Sequence, residues 1–195
     1  MYRWAELPPA TGDMTFANFQ GDGFAAQARK AAQAVAEKCI GGVTLMGPSG
    51  TGKTHLAIAA VRRRLEMSVE EHDSSLARVA KYIYVPEFLD FLRRSYNAET
   101  ELQYDRLFEL YKTVGLLALD DVGVENPTPW ALEKLDMIID FRWLRKSATI
   151  ATTNLTAEQF EKRGQMRLVD RIMDTRHGWQ VIHLQSASAR SGIQW

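Results

Sequence analysis

The chain has 195 residues, 46% of them apolar, and its 24 basic and 24 acidic side chains balance. That length suits one domain with a real core, and zero formal net charge excludes a global field for nucleic acid, so any such binding must come from a local patch. A single cysteine, Cys39, excludes an internal disulfide and a cysteine zinc site, and no apolar run approaches the ~20 residues that cross a bilayer.

Residues 1–21 read as an irregular N-terminal arm, because Pro8-Pro9 and Gly12 break regular structure. The arm mixes Arg3, Glu6 and Asp13 with isolated aromatics and lacks the apolar centre of a secretory signal. The expected location is therefore cytoplasmic, with no membrane partner. Residues 22–195 read as one domain. The stretch 23–38, rich in Ala, Gln and Lys, predicts a helix that Gly41-Gly42 ends. Residues 43–46 are an apolar run the size of a buried strand; a glycine-rich turn follows, and Leu56, Ala60, Val61 and Leu65 recur at helical spacing over 54–66. Residues 67–79 are polar and read as a loop. Tyr82-Ile83-Tyr84-Val85 predicts a second strand stopping at Pro86, with amphipathic helices next, near 86–95 and 100–112. Leu116-Leu117-Ala118-Leu119 is a third buried strand that runs into Asp120-Asp121. Thr128-Pro129 carries cap and first-turn chemistry for a helix to about 145. A fourth strand over 148–152, a capping box at Thr156 and Gln159, a helix over 165–175 and a strand over 180–184 complete the chain. Strands alternating with helices imply an α/β fold whose parallel sheet is covered on both faces, with chemistry at the carboxyl ends of the strands.

Gly47-Pro48-Ser49-Gly50-Thr51-Gly52-Lys53-Thr54 fits the phosphate-loop pattern G-x-x-x-x-G-K-[ST] without a mismatch, between a strand and a helix. Glycines let backbone N–H groups curl around an anion, and the following helix adds the positive end of its dipole. Lys53 is assigned to the β- and γ-phosphates of ATP, and the Thr54 hydroxyl to Mg²⁺. Asp120, at the end of its buried strand, is assigned to the same ion, directly or through water, and Asp121 to polarising the attacking water; the alternative is that both cap a turn before Gly123. Asn154 closes the strand Thr149-Ile150-Ala151-Thr152-Thr153 and is placed to bond the γ-phosphate or orient the water, unless it merely ends the strand. Arg167 and Arg171 share one helix face. Arg171, with Arg167 second, is the candidate for an arginine supplied in trans through self-assembly; the alternatives are a solvated face or a salt bridge with Asp170.

Taken together, these motifs resemble the AAA+ ATPases of the DnaC/DnaI helicase-loader family. Thr15-Phe16-Ala17-Asn18-Phe19 resembles their TFxNF segment, and the phosphate loop with His55-Leu56-Ala57 resembles their Walker A and its helix. Leu119-Asp120-Asp121-Val122-Gly123 with Glu125 resembles LDDLGxE, Thr149 to Leu155 resembles the TIxTTNL sensor strand, and Arg167 to Ile172 resembles the box with the arginine finger. The resemblance implies a P-loop NTPase sheet ordered 5-1-4-3-2, a lid domain reduced or absent, and His55 within the nucleotide-binding set. It also implies ATP hydrolysis, DNA replication as the setting, and a replicative DNA helicase as partner, loaded onto single-stranded DNA. IstB, the ATPase helper of some transposases, is a relative whose acidic strand usually ends in Asp-Glu rather than Asp-Asp, which favours the loader. Loaders usually carry an N-terminal helicase-gripping domain, whereas only residues 1–42 precede the first strand here. ATP binding is therefore carried further by the resemblance than helicase binding.

Arg62-Arg63-Arg64, Arg93-Arg94 and Arg142/Arg145/Lys146, with Tyr96 and Trp143, are candidates for phosphate contacts and stacking on single strands, or solvated helix faces. Phe16 and Phe19 either pack on adenine or anchor the arm. His55, His72, His177 and His183 lack metal-ligand spacing, and Arg190 falls in a tail faintly similar to the loaders' end. Besides the loader, a transposition regulator on duplex DNA and a small-molecule kinase would use the same phosphate loop; a kinase would need an arginine-rich lid, and only 24 residues follow Arg171.

Overall fold

The structure, a computed structural model, describes residues 6–70, 76–94, 101–123 and 127–185. Side chains at 76–77, 93–94 and 101–105 fall outside that description, as do Tyr96, Glu125, His72 and Arg190.

Helix α1 (Gly23–Lys38) turns Ala28, Ala31, Ala32, Val35 and Ala36 inward, an alanine stripe at helical spacing that lets it lie close to its neighbours. It ends at Cys39, which takes a left-handed φ of 52° and returns its N–H to Val35 O, two residues before the expected glycine stop. Strand β1 (Gly42–Met46) is buried along its whole length. Helix α2 (Lys53–Glu70) runs further than its apolar pattern, and a short helix α3 (Leu76–Val79) occupies the end of the expected 67–79 loop. Strand β2 (Ala80–Tyr84) begins and ends earlier than expected. Pro86 does not simply stop it; the proline sits in the first turn of helix α4 (Val85–Arg94), where its missing N–H is not needed.

Next come α5 (Glu101–Thr113), β3 (Leu116–Asp120) and α6 (Pro129–Leu144), whose Thr128 cap accepts from Ala131 N. Strand β4 (Ala148–Thr153) leads to α7 (Ala157–Lys162), where Thr156 and Gln159 close the predicted capping box. The predicted 165–175 helix is shorter: α8 (Met166–Ile172) gives way to a separate 3-10 turn at Thr175–His177, because the Asp174 side chain caps Arg176 N. Strand β5 (Trp179–His183) follows.

All four strand pairings are parallel, in the order β2-β3-β4-β1-β5, which is the expected 5-1-4-3-2. Residue alternation divides the sheet's side chains between two layers. Val43, Leu45, Tyr82, Leu116, Ala118 and Ile150 face α1 and α2. Ile83, Leu117, Leu119 and Ala151 face α4, α5, α6 and α8. No helix among the described residues is long and apolar enough to cross a membrane.

Arg142 leaves the basic cluster in which its sequence neighbours place it. It is fully buried, with Leu135, Ile138 and Ile139 on the same inward stripe of α6. Its guanidinium donates to the carbonyls of Tyr111, Lys112, Val114, Gly115 and Ala148 and to Thr149 Oγ1. It thereby ties α6 to the segments entering β3 and β4. Arg62 is likewise buried and donates to Thr11 O, pinning the arm to α2. Arg63 pairs with Glu37, and Arg145 lies 3.7 Å over the Phe141 ring. Trp143 stacks on His177, so its face is not open to a base. Replacing Arg142 by Met should lower stability by about 3–5 kcal/mol, since five carbonyls lose their donor together; urea unfolding measures it.

Candidate active site

The chain leaves β1 at Gly47 with φ 145°, where an added Cβ would stand 2.1 Å from Leu184 O. Gly47 N donates to Thr153 O at 3.2 Å, so the phosphate loop is wedged between the ends of β4 and β5. Gly50 and Gly52 also take positive φ, and a Cβ on Gly52 would lie 2.6 Å from the Phe19 ring. Phe19 is thus a buried anchor beneath the loop, and Phe16 packs against the same core. Lys53 opens α2 and is 7% exposed. Its Nζ donates to Gly47 O at 2.7 Å and Pro48 O at 2.8 Å, which folds the lysine back over the loop. Burial lowers its pKa, while the charges of Asp120 and Asp121 across the cleft act the other way.

Opposite the loop, Asp120 ends β3 at 3% exposure. Its Oδ1 accepts from Thr54 Oγ1 at 3.2 Å and Thr152 Oγ1 at 2.5 Å; its Oδ2 accepts from Tyr82 OH at 2.7 Å. Asp121 turns out of the strand with a left-handed φ of 62°, a conformation that short polar side chains tolerate best after glycine. Its N–H bonds to Thr152 Oγ1 at 2.9 Å, and its Oδ1 accepts from Asn154 Nδ2 at 3.1 Å. Thr153 Oγ1 donates to Val122 O at 2.7 Å, locking the turn after Asp121 to the end of β4.

These groups line a cleft of about 550 Å³ that brings together Ser49, Gly50, Gly52, Lys53, Thr54, His55, Asp120, Asp121 and Asn154. Gly47, Pro48 and Thr51 complete the loop behind them, with Thr51 Oγ1 donating to Pro48 O at 3.0 Å. His55 Nε2 lies 2.7 Å from Thr15 O and its ring meets Phe19 edge-on, so it holds the arm against the cleft. Sequence reasoning missed Met14, Tyr82, Tyr84 and Thr152, which also line it. A Mg²⁺ ion suits the donors present: a carboxylate and a threonine hydroxyl, both hard oxygens, beside a phosphate site. Among the described residues no cluster of three His, Cys, Asp or Glu is poised to hold a metal without such help.

A family profile described as "IstB-like ATP binding protein" matches residues 34–192. The chain belongs to this family. Among curated relatives, it is 27% identical over 145 residues to the replicative helicase loader DnaI of Bacillus subtilis, covering 68% of this chain and 43% of that one. It is 28% identical over 137 residues to the insertion sequence IS232 putative ATP-binding protein of Bacillus thuringiensis subsp. berliner, covering 68% and 48%. It is 27% identical over 144 residues to the replicative helicase loader DnaC of Escherichia coli, covering 74% and 55%. The chain thus spans about half the length of the curated relatives it matches. The fold is shared with a crystal structure of the DnaC helicase loader, at TM-score 0.70 and 18% identity over 91% of this chain and 99% of that one. A crystal structure of DnaI gives TM-score 0.69 and 22% identity over 92% and 95%. The domain is thus a P-loop AAA+ fold in an ATP-binding family.

In this IstB-like chain the two candidate arginines lie away from the cleft lining. Arg171 Nε donates to Asp140 Oδ1 at 2.7 Å, and its guanidinium sits 4.4 Å over the Trp143 ring. Arg167 bonds the other oxygen of Asp140. The ion pair considered with Asp170 is made with Asp140 of α6 instead. Next to it, burial pushes the Asp136 carboxyl up to about 6, with Arg167 opposing and Asp140 adding to the rise.

For a carboxyl with a raised folded pKa, the neutral form favours folding, so stability falls as pH climbs from the usual 3.8 through about 6. Asp136→Asn should melt higher than the parent at pH 7.5, with the gap closing near pH 4; thermal denaturation across that window tests it. Lys53→Ala should abolish ATP binding at equal melting temperature, checked by calorimetric titration with ATP.

Proposed function

We propose that this chain binds and hydrolyses ATP with Mg²⁺ and uses that cycle, as a helicase loader does, to assist a replicative helicase onto single-stranded DNA. The observation that carries the ATPase reading is the opposition of Lys53 and the loop amides to Asp120, Asp121 and Asn154 across one cleft. The loop N–H groups and Lys53 receive the phosphates, Lys53 exchanging its two loop carbonyls for the β- and γ-oxygens. Thr54 and Asp120 would hold Mg²⁺, which when bound would neutralise charge developing on the phosphates. Asp121 polarises the attacking water, and Asn154, already bonded to Asp121, fixes the pair's direction toward the γ-phosphate. His55 and the arm bound the nucleotide side of the cleft. Arg171 serves a neighbouring copy by leaving Asp140, a partly exposed pair that costs little to open.

The loader reading rests on the likeness to DnaI and DnaC. A second reading, an ATPase helper of DNA transposition, is favoured by the family description and the IS232 relative. ATP turnover measured alone, with single-stranded DNA, with duplex DNA and with a replicative helicase separates them. Stimulation by single strands and helicase supports the loader; stimulation by duplex alone supports the transposition helper.

Asn154→Ala should cut kcat by about 10²-fold while ATP affinity stays within about two-fold, because its bond serves the water and not the ground-state phosphates. Arg171→Ala should remove the rise of specific turnover with protein concentration; equal concentration dependence in parent and variant would remove Arg171 from the site.

A further inference from the structure

We propose that Tyr82 is a positioning residue for the metal-binding carboxylate: its phenol holds one oxygen of Asp120 so that the other is presented to Mg²⁺ beside Thr54. The proposal rests on the Mg-ATP reading of the cleft and adds to it a residue that neither the phosphate loop nor the acidic strand contains.

The placement follows from the sheet. Strand β2 is the edge neighbour of β3, and the register sets Tyr82 opposite Ala118 and Tyr84 opposite Asp120. Tyr82 therefore stands one pleat behind Asp120 on the same face, a diagonal that an aromatic side chain can span. Its ring is 4% exposed and packed in the layer beneath α2, whereas Tyr84, directly opposite the carboxylate, is 39% exposed. The buried tyrosine, not the nearer one, delivers the hydroxyl.

The two oxygens of Asp120 are differently engaged. Thr54 and Thr152 share Oδ1, while Tyr82 takes Oδ2 at 2.7 Å. Thr54 is also the hydroxyl assigned to the metal, and Oδ1 is the oxygen of Asp120 on its side, so an ion held there would draw on Oδ1. The bond to Tyr82 lies on the far oxygen and need not break when that happens. A carboxylate free to rotate about its last bond would divide its time among orientations; fixing Oδ2 from a packed ring removes that freedom. This is the arrangement by which outer partners orient metal ligands and raise affinity.

The test compares the parent with Tyr82→Phe, which deletes one hydroxyl and keeps the ring. Calorimetric titration with ATP is run in EDTA and then at stepped free Mg²⁺, with Mn²⁺ binding followed by electron paramagnetic resonance in the presence of ATP. In the variant, ATP affinity in EDTA should stay within about two-fold, while the Mg²⁺ and Mn²⁺ half-saturation points rise about ten-fold. In an Asp120→Asn background the same change should move the half-saturation points less than about two-fold, since its target carboxylate is gone. Unchanged metal dependence overturns the proposal, as does an equal loss of affinity with and without metal, or an undiminished effect in the Asp120→Asn background. A parent that fails to bind ATP at all instead defeats the nucleotide reading, before any variant is compared.

Discussion

Three hydroxyls from three separate elements converge on a single carboxylate: Thr54 from α2, Tyr82 from β2 and Thr152 from β4, all on Asp120 of β3. The rest of the site depends on this convergence. It requires β2, β3 and β4 to lie side by side in parallel, so that their ends reach one level and their side chains alternate in phase. It requires α2 to begin where β1 stops, which the tight loop after Gly47 achieves. Buried carboxylate oxygens without donors would be costly; with these three hydroxyls, both oxygens of Asp120 are bonded.

The phosphate loop was legible in the sequence because its backbone permits few residues. Positive φ at Gly47, Gly50 and Gly52 disfavours other residues, and a Cβ on Gly47 or Gly52 would run into Leu184 O or the Phe19 ring. Asp120 was legible because four apolar residues announce a buried strand and a charge at its end must face something polar. The five strands and their order could be anticipated for the same reason, and the caps at Thr128 and Thr156 act as their residue types suggest. Tyr82 and Thr152 were not legible. Each looks like any β-forming residue, and each meets Asp120 across a gap of 38 or 32 positions that only the strand register closes.

The basic clusters show the opposite failure, in which adjacency along the chain misleads. Arg142 stands near Arg145 and Lys146 in sequence, yet it falls on the stripe of Leu135, Ile138 and Ile139, seven, four and three residues before it. Helical spacing carried that signal, and charge counting obscured it. A guanidinium has five N–H donors and can satisfy several carbonyls at once, which suits it to the place where α6 meets the end of α5 and the starts of β3 and β4. Arg171 is the intermediate case: helical spacing predicts the face it shares with Arg167, but its partner Asp140 sits on another helix, out of reach of any local pattern.

The lysine folded over its own loop has an energetic meaning. Lys53 gives its hydrogens to Gly47 O and Pro48 O, so its ammonium is already bonded within the loop it follows. On the proposed reading, a triphosphate would swap one set of lysine partners for another, and its departure would reverse the swap. On that reading, the affinity for a triphosphate is then a difference between two bonded states of the lysine.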